Sequence, residues 1–450
     1  MGSITSNKLR PIDPFDIPST VQHILKVLQL RGFESYLVGG CVRDLLLARS
    51  PKDYDICTEA TPKDVGDIFE RVAPIGIKFG TVTVLCGDQH VEVTSMRKPY
   101  IPSQDESHHG ACKVEADVKL RDFTINALLF DGSELVDYVD GLNDLRCRTI
   151  RAVGDAEERF REDPLRLIRA IRFSCQLNFK IETNTYQAIA ANAKLISCVS
   201  LERVRDELTL LLTSESPAKG IRLLQTTGIL QYILPELQKC YRFEQRNKHH
   251  DKDVFEHILA VLDHTPNNLL VRLAALLHDV GKPETFTIGS NGVGHFYGHN
   301  EVGYGLSKQI LSRLKYDKRT VEATSILVKE HMNKLNSTQT KAIKRLINRV
   351  GKDKINMLID LQIADIAGSA PPHDFRQLEE LRVRLLEIIV QEVPLELKDL
   401  AINGTDLINL GINNGSDIGR MLDKLLQKIL DDPELNRRDI LLQLVNDYMQ

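Results

Sequence analysis

The sequence predicts an α+β protein: an N-terminal mixed sheet with helices, then a long helical remainder. Three observations predict it. Runs rich in Val, Ile and Thr with partial period-two alternation ("ESYLVGG", "DYDICT", "GTVTVLCG", "HVEVTSMR", "FTINALLFD") are confined to the first 142 residues. Beyond residue 155 the apolar spacing turns helical, as in "DPLRLIRAIRFSCQL" and "SLERVRDELTLLL". The histidines of the C-terminal half all fall between 245 and 375, which marks a separate unit.

At 450 residues the chain has room for about three domains. The patterns divide it into a head (1–142, with "TPKDVGDIFERV" as a helix), a helical neck and body (143–244), the histidine unit (245–375) and a helical tail (376–450) with a turn at Asn403-Gly404. There is no internal repeat and no low-complexity tract.

A composition of 42% hydrophobic and 27% charged residues is that of an ordinary globular protein. The net charge of -4 gives no global attraction to nucleic acid, so a polyanion site must be a local patch. No run approaches a membrane helix, and "MGSITSNKLRPIDPFD" lacks a signal-peptide core. Gly2 and Ser6 fit a myristoylation pattern, but the polar context favours chance. Eight cysteines without a CxxC pair read as reduced core thiols of a cytoplasmic protein.

Residues 37–57, "LVGGCVRDLLLARSPKDYDIC", carry the first chemistry. Asp53 and Asp55, two apart on a strand, present two carboxylates on one face. Like charges so placed persist where a divalent cation, Mg²⁺, sits between them. Gly39 and Gly40 let the backbone approach a ligand closely, the helix begun near Cys41 offers amides to phosphate, and Arg43 can add a fork. Either piece alone is a turn or a solvated strand end. Together they make a nucleoside triphosphate and metal site.

Farther on, "EDPLR" opens a helix with Pro164 in its first turn. Asp163 and Arg166, three apart, share a face. A carboxylate accepting from an exocyclic amine and a guanidinium donating to a ring nitrogen or carbonyl fit cytosine and adenine. Read alone, the pair is better taken as a surface ion pair. Residues 146–172 hold eight arginines, Arg166, Arg169 and Arg172 among them, which is either a self-paired helical neck or a track for a nucleic-acid backbone.

In the histidine unit, "VFEHILAVL" supplies His257, "LAALLHDVGKP" His278 and Asp279, "FYGHNEVG" His299, "VKEHM" His331 and "LQIADIAG" Asp365. Imidazoles and carboxylates from several helices suit a transition metal that activates water for phosphate hydrolysis. His249 and His250 read as loop residues.

GGxVRD followed by DxD resembles the polymerase-β type of nucleotidyltransferase. In detail the chain resembles the class II tRNA nucleotidyltransferases (CCA-adding enzymes) and the bacterial poly(A) polymerases. "RDFTINAL" from Arg121, "DYVDGLNDL" through Asp137, Gly141 and Asp144, "EDPLR", and "SLERVRDEL" through Arg203 extend the resemblance to nearly the whole chain outside the histidine unit. That unit's order H…HD…H…H…D resembles HD-type phosphohydrolases. The resemblance implies a polymerase-β-like head followed by an all-α neck, body, HD domain and tail, and template-independent addition of the tRNA 3′-CCA end. Asp53 and Asp55 are then catalytic and hold Mg²⁺, Arg121 and Asp122 hold the ribose 2′-OH with Asn126 of the same motif at the nucleotide, and Asp163 and Arg166 read the base. Arg169 and Arg172 complete the nucleotide set. The implied partners are tRNA, ATP and CTP, with no DNA and no membrane, and the tail helps bind tRNA. Two departures stand out: Leu120 replaces an arginine of the family, and 98–119, where the family has a flexible loop, lacks its paired arginines. An enzyme adding only A or only C, a poly(A) polymerase, and an HD phosphohydrolase with an RNA-binding head are the alternatives.

Overall fold

The computed structural model describes residues 9–449 apart from 75, 78–79, 88, 97–112, 246–251, 291, 336–337 and 392–393. Most of the 98–119 loop, as well as Gly2, Ser6, Cys112, His249 and His250, therefore lies outside the described residues. The chain divides into two compact units, residues 1–200 with 226–229, and residues 201–225 with 230–450.

The first unit is built on a seven-stranded sheet in the order β3-β4-β5-β2-β1-β6-β7. Its strands are β1 (Ser35–Val38), β2 (Tyr54–Thr58), β3 (Val72–Ala73), β4 (Thr81–Cys86), β5 (Gln89–Ser95), β6 (Leu129–Phe130) and β7 (Leu135–Val136). β2 and β5 are parallel and the other neighbours antiparallel, so the sheet is mixed. Helices α1 (Ser19–Leu30) and α2 (Gly40–Leu46) pack on β1 and β2. α3 (Pro62–Ile68) starts where Thr61 and Asp64 form a capping box with Pro62 at the first position. A core cluster joins Val38, Cys57, Ala127 and Leu129 to Val114 and Val118 of α4 (Lys113–Lys119), so α4 covers the face that carries Asp55.

Two sequence expectations shift here. The run "FTINALLFD" is not one strand: Thr124–Asn126 is a 3₁₀ turn, Leu129–Phe130 pairs in the sheet, and Phe123 makes an isolated bridge to Ala152. The cause is a polar lock. Thr124 Oγ1 donates to Asp144 at 2.7 Å, and Asp137 accepts from the amides of Val139, Gly141 and Leu142 at 2.9–3.1 Å. A Cβ on Gly141, the first residue of α5 (Gly141–Arg146), would lie 2.3 Å from the Thr124 carbonyl oxygen, so only glycine fits. The cysteines are also not uniformly core. Cys41, Cys57, Cys175 and Cys240 are buried, whereas Cys147 and Cys198 are exposed. Burial pushes the Cys41 thiol up to about 11 and Cys57 to about 12, which leaves both unreactive.

After the sheet, α6 (Ala156–Glu162) is capped by Asp155, and α7 (Leu165–Leu177) ends at Asn178 in the left-handed conformation. A short parallel pair, Thr149–Ile150 with Lys180–Ile181, interrupts the helical pattern. Among its described residues the second unit has helices and one hairpin, Thr287–Ile288 with Gly294–His295. Asn403 is the N-cap of a helix over Gly404–Asn409 rather than a plain turn, because its side chain accepts from the amides of Thr405 and Asp406. Among the described residues no helix is long and apolar enough to cross a membrane.

Candidate active sites

β1 ends at Val38, in register with Asp55 of β2, and Gly39 follows with φ +80°. A Cβ at Gly39 would lie 3.6 Å from Asp55 Oδ2 and 3.9 Å from Arg121 Nη1, so the glycine keeps open the space beside the carboxylate. Asp53 sits just before the first residue of β2 and is exposed. The same-face placement expected of a strand thus rests on the residue entering it. In the parallel pair Asp55 faces Glu92 of β5. Burial first, then the charges of Glu92 and Asp53 against the relief of Arg121, raise the Asp55 carboxyl to about 6. Asp53 and Asp55 offer carboxylate oxygens, the hard donors that Mg²⁺ prefers, and Glu92 stands in register beside Asp55, so the residues fit that ion. Sequence reasoning missed Glu92; the signal was its place in "HVEVTS", a charge alternating with buried valines.

Arg43 is turned inward, contrary to the expected fork on phosphate. It is buried, donating to Asn126 Oδ1 at 2.6 Å and Asp44 at 2.9 Å. Arg121 pairs with Asp117 of α4 at 2.8 Å, and Asp122 accepts from Arg169 at 2.8 and 3.0 Å and from Asn126 at 3.2 Å. Burial opposes ionisation of Asp122, yet the Arg169 guanidinium and these hydrogen bonds keep its carboxyl below the usual range. Arg43, Asn126, Asp122 and Arg169 are therefore one connected network, while Arg121 is held by Asp117. Arg172 joins it through Phe173, whose ring has the guanidinium carbons of Arg172, Arg43 and Arg169 at 4.0, 5.2 and 5.4 Å. Phe173 was another residue the sequence reading passed over.

The expectation that Asp163 and Arg166 share a helical face is corrected. α7 begins at Leu165, and Asp163 is extended (φ -141°, ψ 97°), its carboxylate accepting from the Leu165 amide at 3.2 Å. Arg166 is buried; it donates to the Leu120 carbonyl at 2.8 Å and pairs with Glu162 at 3.2 Å. That bond uses the backbone of residue 120, so a leucine serves there as well as an arginine. Burial lowers the Arg166 pKa from its ordinary value, against the pull of Asp122 and Glu162.

In the second unit, His257 comes from a helix over Val254–Asp263, His278 and Asp279 follow one over Leu269–Leu277, and His299 opens one over His299–Arg313. His331 follows a helix over Lys318–Glu330, and Asp365 lies in one over Ile355–Gly368. All six converge. His257 Nε2 is 3.1 Å from Asp365, 3.3 Å from His278 Nε2 and 3.4 Å from Asp279. His299 Nε2 is 3.4 Å from both Asp279 and His331 Nε2. Two three-residue groups result, His257/His278/Asp279 and Asp279/His299/His331, sharing the buried Asp279.

His278, His299 and His331 each turn Nδ1 to a backbone carbonyl three residues earlier, at 2.8, 2.8 and 2.6 Å. With Nδ1 as donor, each Nε2 keeps a lone pair aimed at the centre. Burial pushes His331 down to about 4 and lowers His299, which keeps both neutral as ligands must be. Burial also opposes the charged form of His278, but Asp279 outweighs it and raises that pKa, while Asp279 is held well below the carboxylate range chiefly by His278 and Lys282. The imidazole–carboxylate set fits a transition metal. Lys282, not foreseen, lies 2.7 Å from Asp279 and donates to Gln245 at 2.8 Å; the signal was its position three residues after Asp279. Gly281 is required because a Cβ there would meet the His299 carbonyl at 2.3 Å.

Three known domain families match successive parts of the chain. Residues 35–151 match the poly A polymerase head domain, 178–240 the probable RNA and SrmB- binding site of polymerase A, and 246–368 the HD domain. The CCA-adding enzyme of Levilactobacillus brevis is 31% identical over 439 residues, covering 94% of this chain and 96% of that protein. The A-adding tRNA nucleotidyltransferase of Deinococcus radiodurans is 34% identical over 406 residues, covering 87% and 90%. The crystal structure of the Bacillus stearothermophilus CCA-adding enzyme in complex with CTP superposes with a TM-score of 0.70 at 27% identity, over 96% of this chain and 99% of that one. A nucleotidyltransferase head, an RNA-binding segment and an HD unit in one order, with a relative matched almost end to end, leave one family: the chain belongs to the CCA-adding enzymes, the tRNA nucleotidyltransferases.

Proposed function

We propose that this enzyme builds the 3′-terminal CCA of tRNA from CTP and ATP without a nucleic-acid template. The observation that carries the reading is Asp55, beside Gly39 and in register with Glu92, in a chain similar to CCA-adding enzymes along its length. Gly39 and Gly40 border the triphosphate. Asp53 and Asp55 hold Mg²⁺, which when bound lowers the pKa of the RNA 3′-hydroxyl and offsets charge on the leaving pyrophosphate. The 3′-oxygen bonds to the α-phosphorus, the bond from that phosphorus to the pyrophosphate oxygen breaks, and the hydroxyl proton passes to Glu92. Arg121, Asp122 and Asn126 orient the ribose. Asp163 and Arg166 accept cytosine or adenine, both of which carry an exocyclic amine, and Arg169, Arg172 and Arg43 add positive charge around Phe173. Labelled nucleotide addition to transcripts ending at the discriminator base, in -C or in -CC tests the reading. C should enter the first two and A the third; label from ATP onto -CC alone would mark an A-adding enzyme.

A second activity is favoured by the converging Nε2 atoms of the HD unit. The cluster His257, His278, Asp279, His299, His331 and Asp365 would hold a transition metal, which when bound supplies an activated water for hydrolysis of a phosphate ester. Lys282 keeps Asp279 ionised, and the backbone carbonyls fix the histidine tautomers.

A further inference from the structure

One face of α7 holds the segment 120–123 residue by residue. Arg166, Arg169 and Phe173 are spaced i, i+3, i+7 and so share that face. Arg166 donates to the Leu120 carbonyl at 2.8 Å, and Arg169 to the Asp122 carboxylate at 2.8 and 3.0 Å. Phe173 meets the Phe123 ring edge-on, with centroids 5.8 Å apart. Just upstream, Arg159 of α6 donates to the Lys119 carbonyl at 3.2 Å. The helix that carries Arg166 at its start is therefore also the support of Asp122 and Asn126.

The last of these side chains has a second set of neighbours. Phe173 is 5% exposed, and the guanidinium carbons of Arg172, Arg43 and Arg169 lie 4.0, 5.2 and 5.4 Å from its centroid. Three like charges gathered around one point repel one another. Asp44 beside Arg43 and Asp122 beside Arg169 offset part of that, and Arg172 donates to Gln176 Oε1, a neutral acceptor, at 3.1 Å. The electron-rich faces of the ring add an attraction that is strongest where water is excluded. Two of the three cations are the ones that hold the sugar groups: Arg43 donates to Asn126 Oδ1 at 2.6 Å, and Arg169 grips Asp122. Arg43 comes from α2, so a single ring ties together α2, α7 and the turn between Asp122 and Asn126.

We propose that Phe173 is a positioning residue for the sugar of the incoming nucleotide, acting through the π face it offers to Arg43 and Arg169. The inference rests on the reading of Asp122 and Asn126 as the groups that orient the ribose. It goes further by making the preference for a ribonucleotide depend on a buried ring two turns from Arg166. Weakening the ring's hold lets the two guanidiniums drift, and with them the carboxylate and amide that face the 2′-hydroxyl, and small displacements of such groups are costly. Base choice stays separate, because Arg166 is braced by the Leu120 carbonyl and not by the ring.

The test places phenylalanines with increasing ring fluorination at position 173 of the full-length protein, beside Phe173→Leu. Fluorine drains the ring face in steps and changes its volume little, so packing is held nearly constant while the attraction to cations falls. Rates of CTP and dCTP addition to a tRNA transcript ending at the discriminator base give the ribose preference. That preference, as the ratio of the two kcat/KM values, should fall stepwise along the series, by roughly tenfold at the most fluorinated ring and in Phe173→Leu. The loss should lie in CTP, since dCTP has no 2′-hydroxyl to orient, and the choice of CTP over UTP should stay within about twofold because the bidentate base contact is untouched. A ratio that is flat along the series, even where Phe173→Leu lowers it, would show that the ring only fills space and would overturn the proposal. Wild-type protein that adds CTP and dCTP equally would instead remove Asp122 and Asn126 from the ribose. The ring is then judged on unfolding: the series should still lower the denaturant midpoint in steps, and by less in Arg169→Gln, and a midpoint that does not move would overturn it.

Discussion

Asp55 of β2 stands in register with Glu92 of β5, two carboxylates on neighbouring parallel strands, beside a glycine whose Cβ would fall 3.6 Å from Asp55 Oδ2. Burial and that neighbouring charge raise the Asp55 carboxyl to about 6, so without a cation it carries a proton through the mildly acidic range. A cation must displace that proton. Apparent Mg²⁺ affinity should therefore rise about tenfold per pH unit below 6 and level off above it, since only the ionised carboxylate is a ligand. Calorimetric Mg²⁺ titration between pH 5 and 7.5 checks this; an affinity flat across the range would show that Asp55 is not the group that binds.

Asp53→Ala and Asp55→Ala should abolish addition of both CTP and ATP while leaving tRNA binding within about twofold, because backbone contacts to RNA do not depend on the metal pair. Glu92→Gln should lower the turnover rate by roughly 100-fold if it takes the proton. Single-turnover kinetics with gel-shift binding separates the two effects. Full activity in Glu92→Gln would remove it from the site.

Base choice should fail before chemistry does when the start of α7 is altered. Asp163→Ala and Arg166→Ala should reduce discrimination against UTP and GTP by roughly 5- to 150-fold, the worth of one bidentate contact. Arg166→Lys should behave like the alanine variant, since an ammonium cannot span both the Leu120 carbonyl and the base as a fork does. Equal loss of all four nucleotides would mean that Arg166 serves only to brace residue 120.

Gly141→Ala should destabilise the head by about 1–3 kcal/mol, the usual penalty for overpacking, because its Cβ meets the Thr124 carbonyl at 2.3 Å. The displaced turn carries Asn126, so nucleotide affinity should fall as well. Denaturant melts and CTP titration read both; a variant with the wild-type midpoint would show that α5 can shift without cost.

In the HD unit, Asp279→Ala should strip metal from the protein and end any phosphohydrolase activity, with nucleotide addition retained. Elemental analysis beside both assays tests the separation. Wild-type protein free of transition metal after mild purification would speak against a metal centre there.

Much of this was legible in the chain itself. Period-two runs marked β1, β2, β4 and β5, because alternating side chains on a half-buried strand leave a local trace. The six HD residues could be named in advance, since His and Asp embedded in apolar helices are unusual in themselves. Local pattern could not supply what depends on pairing across the sheet or on where each polar atom finds a partner. Glu92 came beside Asp55 only when β5 was laid parallel to β2. Arg43 and Arg166 looked outward in the sequence, but burial forces a guanidinium to satisfy its donors, and the fold offered Asn126 and the Leu120 carbonyl. The Thr124–Asn126 turn likewise gave up its strand because Asp144 and Gly141, some twenty residues away, hold it closed. Sequence determined which groups could do the chemistry; contacts between distant segments, which alone can satisfy buried charge, decided which of them face the site.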